Sequence, residues 1–138
     1  MRHPFGKSTI TARYGATANR SSPHRGLDYA VKDGTWIPSV APGDVVMNTW
    51  SDALGWVLVQ TAWDVKAKKV VYVGYSHLKA KSPHKVGGRL SEGQGIGKQG
   101  NTGTASRGSH LHLTIGPSLR SIFEGQTVNP ETFIDERI

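Results

Sequence analysis

The sequence predicts a single, mostly β domain, and three observations carry that reading. Its 138 residues suit one hydrophobic core and leave no room for a second independent one. The clearest periodic segments are short and alternate with the two-residue period of strands, while helical periodicity is nearly absent. The 17 glycines and 7 prolines favour turns and strands over long helices.

Taken in order, the first strand is Leu27-Asp28-Tyr29-Ala30-Val31, whose alternation places Leu27, Tyr29 and Val31 on one face and Asp28 on the other. Asp44 to Thr49, Trp56 to Thr61 and Val70 to Tyr75 are rich in the β-branched and aromatic residues that fit a pleated surface. Turn-like pieces separate them, Ser51 to Gly55 and then the charged stretch Asp64 to Lys69, so two hairpins are expected. Gly87 to Gly108 is glycine-dense and reads as loops and tight turns that let backbone approach a groove closely. A last strand, His110 to Ile115, is ended by Gly116-Pro117, and Ser118 to Phe123 can form one helical turn. No repeat, heptad or low-complexity tail interrupts this organisation.

Composition excludes several chemistries. With no cysteine in the chain, disulfides, thiolate-bound zinc, iron–sulfur clusters and a thiol nucleophile are all ruled out. A formal net charge of +7 draws the protein towards polyanions such as nucleic acid, anionic membranes or the acidic polymers of a bacterial wall. No stretch has the apolar length needed to span a bilayer, so membrane insertion is not expected. Met1 to Lys7 is charged and proline-broken, unlike the apolar core of a secretory signal.

Six histidines are present, and three of their surroundings carry chemistry. His110 and His112 stand two apart in a predicted strand, so both imidazoles face one way while Leu111 and Leu113 face the other. A solvated strand face would give the same pattern. His24 and Asp28 frame Arg25-Gly26-Leu27; fully extended, their Cα atoms would lie ~13 Å apart, so sharing one metal requires a bend, for which Gly26 supplies the freedom. An ordinary turn with Asp28 in solvent is the plainer alternative. His77 ends a strand in Gly74-Tyr75-Ser76-His77-Leu78. Together, two histidines and an aspartate make a three-ligand site with one open tetrahedral position, as catalytic zinc sites have, and two histidines remain to move protons.

In their order and spacing, His24-Arg25-Gly26-Leu27-Asp28, Tyr75-Ser76-His77-Leu78 and Gly97-Lys98-Gln99-Gly100-Asn101-Thr102-Gly103 followed by Ser109-His110-Leu111-His112 resemble the M23 family of zinc metallopeptidases. This is the lysostaphin and LytM type of peptidoglycan endopeptidase. Ile37 to Val46 also reads like the family's second strand pair, and the likeness runs from roughly Ile10 to Pro130 within a single domain spanning 1–138. The resemblance implies an antiparallel β-sheet core of the LytM/lysostaphin type with loops forming a substrate groove. It implies one zinc ion per chain held by His24, Asp28 and His112, with His77 and His110 as the catalytic pair beside the scissile carbonyl. Tyr14 is the weak candidate for an oxyanion-binding tyrosine that some members carry. The expected substrate is a peptide bond in the stem or cross-bridge of bacterial peptidoglycan, with the basic surface held to anionic wall polymers and the protein acting as a monomer.

A short chain without signal or targeting module is similar to a phage lysin, kept in the host cytoplasm until released to the cell wall. An excised domain of a larger wall or virion protein would look the same. Two other readings remain open. One is a catalytically silent wall-binding or activator domain of the same fold. The other is a basic β-barrel that binds nucleic acid through Trp36, Trp50, Trp56 and Trp63 interleaved with lysines; it leaves the histidine spacing as coincidence, so no nucleic acid is expected as partner. Gly95-Ile96-Gly97-Lys98-Gln99-Gly100 fits the letters of a dinucleotide fingerprint but has no βαβ unit around it. Ser76 and Ser109 adjoin histidines outside any nucleophile elbow. His84, in a basic loop, is expected on a solvated positive surface rather than as a ligand, the terminal His3 without a specific role, and the tryptophans in core or groove.

Overall fold

The computed structural model describes residues 1–134. Its strands are β1 (Ile10–Ala12), β2 (Leu27–Tyr29), β3 (Trp36–Pro38), β4 (Gly43–Ser51), β5 (Gly55–Asp64), β6 (Lys69–Leu78), β7 (Arg89–Leu90), β8 (Gly95–Lys98) and β9 (Leu111–Gly116). Seven of them form one sheet in the order β1-β2-β9-β6-β5-β4-β7, and β3 pairs with β8 in a second, two-stranded sheet. Every pairing is antiparallel. The mostly β, antiparallel expectation therefore holds.

The two hairpins form where the sequence places them, β4–β5 and β5–β6, with turns inside the expected polar stretches. Register then sorts the side chains. Leu58, Tyr75, Leu113 and Leu27 face one another across β5, β6, β9 and β2, and all four are completely buried in the main core. Ile37 and Ile96 close that core from the two-stranded sheet. Within it, Gln60 receives hydrogen bonds from the Tyr75 and Ser39 hydroxyls on Oε1 and donates from Nε2 to the Ala41 carbonyl, a buried polar set that is fully paired. The Tyr75 phenol, wholly buried, is pushed up from its ordinary pKa by desolvation.

On the opposite face lies α1 (Leu119–Glu124), capped by the Ser118 side chain and ended by Gly125 at φ 73°. Ile122 packs there with Val57 and Val59. A methyl group on Gly74 would lie 2.7 Å from Ile122 Cγ2, so the bare glycine lets α1 settle on the sheet.

Several expectations need correction. The first strand stops at Tyr29; Val31 bonds instead to the Gln99 side-chain amide, which accepts from its N–H and donates to its carbonyl. Two strands, β7 and β8, lie inside the glycine-dense segment read as loops. Gly95 and Gly97 have no side chains to show alternation, and Trp36 and Leu78 cover them instead. The short strands β1 and β3 also lack a period long enough to read. Trp36, Trp50 and Trp63 are exposed rather than core, and Trp56 alone of the four packs against the core. His84 is tied down, its Nε2 2.7 Å from the Gly95 carbonyl, and His3 stacks edge-on against Tyr29 with Nδ1 2.6 Å from its hydroxyl.

Candidate metal centre

One residue along from the apolar row, the same strands carry a polar one. Asp28 in β2 pairs with His112 in β9, and His112 with Ser76 in β6. Because neighbours in a strand point to opposite faces, the register that buries Leu27, Leu113 and Tyr75 delivers Asp28, His112 and Ser76 to the other side. His24 enters from the loop before β2, where its N–H donates to the Ala16 carbonyl and its own carbonyl accepts from Gly15.

Three donor atoms converge. Asp28 Oδ1 lies 2.9 Å from His112 Nδ1 and 3.1 Å from His24 Nε2, and the two nitrogens are 3.2 Å apart. The chain must bend sharply between His24 and Asp28 to achieve this. Gly26 permits it by lacking a side chain rather than by a left-handed backbone: a Cβ there would meet His112 Cε1 and the Leu113 carbonyl, each at 2.6 Å. His24 Nδ1 sits 3.1 Å from the Arg13 carbonyl, which orients the ring and turns Nε2 to the cluster. Burial alone would raise the Asp28 pKa. Hydrogen bonds and charge from His112 and His24 outweigh it and hold the carboxyl ionised, well below the ordinary carboxylate range.

His77 and His110 complete a five-residue group, their rings 4.8 Å apart between centroids. His77 takes a left-handed backbone, φ 62°, uncommon for a side chain of this size. Two contacts hold it: its N–H donates to the Leu54 carbonyl at 2.8 Å, and Nδ1 is 2.7 Å from the Thr102 carbonyl. Desolvation pushes its pKa down to about 4, assisted by the neighbouring His110 and His112 and opposed by Thr102 and Asp28. His110 has Nδ1 2.8 Å from the Gly108 carbonyl and Nε2 3.8 Å from Asp28 Oδ1. In both rings the carbonyl takes the proton-bearing nitrogen and leaves the other facing the cluster.

The structure thus brings together all five residues singled out in the sequence. Tyr14 does not join them; its hydroxyl donates to the Thr127 carbonyl at 2.8 Å. Sequence reasoning missed Arg20, whose guanidinium lies 3.7 Å from Asp28 Oδ2, and the carbonyls of Arg13, Thr102 and Gly108 that orient the rings. A carbonyl is present at every residue, so no sequence signal marks it.

The sequence profile of Peptidase family M23 matches residues 22–130, which include the whole cluster. The chain belongs to peptidase family M23. It is 34% identical over 111 residues to the peptidoglycan DD-endopeptidase ShyA of Vibrio cholerae, covering 80% of this chain and 23% of that protein. An uncharacterized metalloprotease of Buchnera aphidicola is 33% identical over 104 residues, covering 75% and 26%. The chain spans about a quarter of the length of these curated relatives. The catalytic domain of lysostaphin from Staphylococcus simulans superposes with a TM-score of 0.74 at 27% identity over 90% of both chains. The catalytic domain of the prophage-encoded M23 protein EnpA from Enterococcus faecalis gives 0.76 at 30% identity over 96% of both. As an M23 member with this fold, the chain has the antiparallel sheet of lysostaphin-type catalytic domains.

Proposed function

We propose that the protein is a zinc-dependent endopeptidase that hydrolyses peptide bonds in the stem or cross-bridge of bacterial peptidoglycan. The observation that carries this reading is the convergence of five side chains in two sets, three donor atoms within 3.2 Å of one another and two histidines turned towards them. Neighbouring corners of a tetrahedron around zinc lie about 3.3–3.5 Å apart when each ligand is ~2.0–2.1 Å from the metal. His24 Nε2, Asp28 Oδ1 and His112 Nδ1 fit that spacing, and two imidazoles with one carboxylate are a donor set that zinc accepts. A zinc ion held there supplies a Lewis acid that lowers the pKa of water and polarises a carbonyl.

The chain's own residues do the rest. Asp28 is ionised and brings negative charge to the ligand set. His77, neutral above about pH 4, offers Nε2 as a proton acceptor beside the cluster. His110 stands on the same side with Nε2 inward; with both ring nitrogens protonated, Nδ1–H staying on the Gly108 carbonyl, Nε2–H would hand a proton to the departing amine or bond the developing oxyanion. The relatives' names support the wall substrate, since ShyA is a peptidoglycan DD-endopeptidase. The test is digestion of purified peptidoglycan of several bridge types with and without a chelator, read by mass. Chelator-sensitive release of new amino termini without new reducing sugar ends is expected. Zinc-loaded protein that cuts no wall would point to a silent wall-binding domain instead.

A further inference from the structure

Strand β6 carries one residue too many where it passes β5. Trp56 and Leu58, two apart in β5, face Leu78 and Tyr75, three apart in β6. The extra residue bulges the strand between Tyr75 and Leu78, and there His77 turns to its left-handed backbone, φ 62°. A bulge leaves one residue outside the ladder and re-aims its side chain. Thr102, in the loop between β8 and β9, braces that kink. Its hydroxyl bridges the two strands at the facing pair beside the bulge, accepting from the Trp56 N–H at 3.2 Å and donating to the Leu78 carbonyl at 2.6 Å. Its own carbonyl lies 2.7 Å from His77 Nδ1. One residue thus grips two consecutive residues of β6, His77 by its ring and Leu78 by its carbonyl. The loop is anchored in turn to the β4–β5 turn: the Thr104 N–H donates to the Asp52 carbonyl at 2.8 Å and the Ala105 N–H to the Ala53 carbonyl at 3.0 Å. Those bonds fix the loop beyond Gly103, whereas the Thr102 hydroxyl fixes it where the carbonyl meets His77. The fit is close, since a side chain on Gly55 would collide with Thr102 Oγ1.

We propose that Thr102 is the positioning residue for His77: its hydroxyl locks the bulge at Trp56 and Leu78, so that its carbonyl holds the imidazole by Nδ1 and keeps Nε2 turned to the cluster. The consequence for turnover rests on the endopeptidase reading above; the hold on the ring does not. A reacting group misplaced by about 1 Å costs on the order of 100-fold in rate. His24, Asp28 and His112 make none of these contacts, so releasing His77 should show in kcat rather than in KM or zinc content.

The experiment compares Thr102→Val, which keeps the shape and removes the hydroxyl, with Thr102→Ser, which keeps the hydroxyl and removes the methyl. Thr102→Ala repeats the first comparison with a smaller side chain if the valine variant does not fold. In chelator-stripped protein near neutral pH, NMR of the imidazole N–H groups follows exchange of the His77 Nδ1 proton with water. In zinc-loaded protein, zinc content is read beside kcat and KM on soluble cross-linked fragments of peptidoglycan. Thr102→Val is expected to speed the exchange by about tenfold or more. It should also lower kcat by about 10- to 100-fold, with zinc retained and KM within about twofold. Thr102→Ser should restore most of both. An unchanged ring proton in the folded valine or alanine variant overturns the proposal. A serine variant as impaired as the valine one overturns it too, as does zinc lost in step with kcat, since Thr102 then only supports the loop. Faster exchange in Thr102→Val, beside a wild type that cuts no wall, would keep the positioning role while removing the endopeptidase reading, so the two can fail separately.

Discussion

Two rows of side chains run across the same strands one residue apart, and they differ in almost everything except their backbone. Leu27, Leu113, Tyr75 and Leu58 form the first, wholly buried and held by apolar contact with one fully bonded phenol. Asp28, His112 and Ser76 form the second, polar, with His24 and His110 brought beside it by the loops before β2 and β9 and His77 by the end of β6. The apolar row fixes the register, and the register aims the polar row. The site is therefore a consequence of the core, but its chemistry is independent of it, and substitutions in the two rows should separate folding from metal.

The largest effect is expected from comparing Asp28→Asn with Leu113→Ala. The first removes the carboxylate that bridges both histidines and should lower zinc affinity and turnover by about 100-fold or more. The second empties a fully buried core position and should cost about 2–5 kcal/mol of stability, while the fraction still folded keeps its metal. Zinc titration and urea unfolding of both variants check this. Loss of metal affinity in the folded Leu113→Ala protein would show that the metal site depends directly on core packing.

A smaller effect comes from pH. Burial holds the His77 pKa at about 4 against about 6.5 in an unfolded chain. The unfolded state therefore takes up a proton first as pH falls. Stability of the metal-free protein should be unaffected above about pH 6.5 and decline by about 3 kcal/mol as pH drops to 4. His77→Asn, a residue that tolerates the left-handed backbone, should flatten that decline in urea melts taken between pH 7.5 and 4. An unchanged slope would place the titration on another group.

The smallest effect is at Ser76. Its hydroxyl is buried and makes no hydrogen bond among the described residues. Ser76→Ala should leave stability unchanged or raise it by about 1 kcal/mol, measured by urea unfolding. A clear loss would mean that the hydroxyl has a partner when metal is bound.

How much of this was legible in the sequence follows the same division. The hairpins β4–β5 and β5–β6 are readable because Asp44 to Thr49, Trp56 to Thr61 and Val70 to Tyr75 are rich in β-branched and aromatic residues and are separated by polar turn stretches. The five cluster residues are readable because each lies in a dense local motif. What escaped was whatever lacks a side-chain signature. Strand β8 is half glycine and draws its covering side chains from Trp36 and Leu78. Gly26 reads as a flexible bend, yet its role is to make room for His112. Arg20 stands in a loop of serines, alanines and arginines where no pattern distinguishes it, and only the folded distance to Asp28 does.

The most direct test of the account compares His112→Ala with His77→Ala, measuring zinc content by elemental analysis and release of amino termini from peptidoglycan on the same samples. His112→Ala should be folded, free of zinc and inactive. His77→Ala should retain one zinc per chain and lose turnover by about 100-fold or more. Full activity in zinc-loaded His77→Ala, or stoichiometric zinc in His112→Ala, would contradict the division of this cluster into metal ligands and proton carriers.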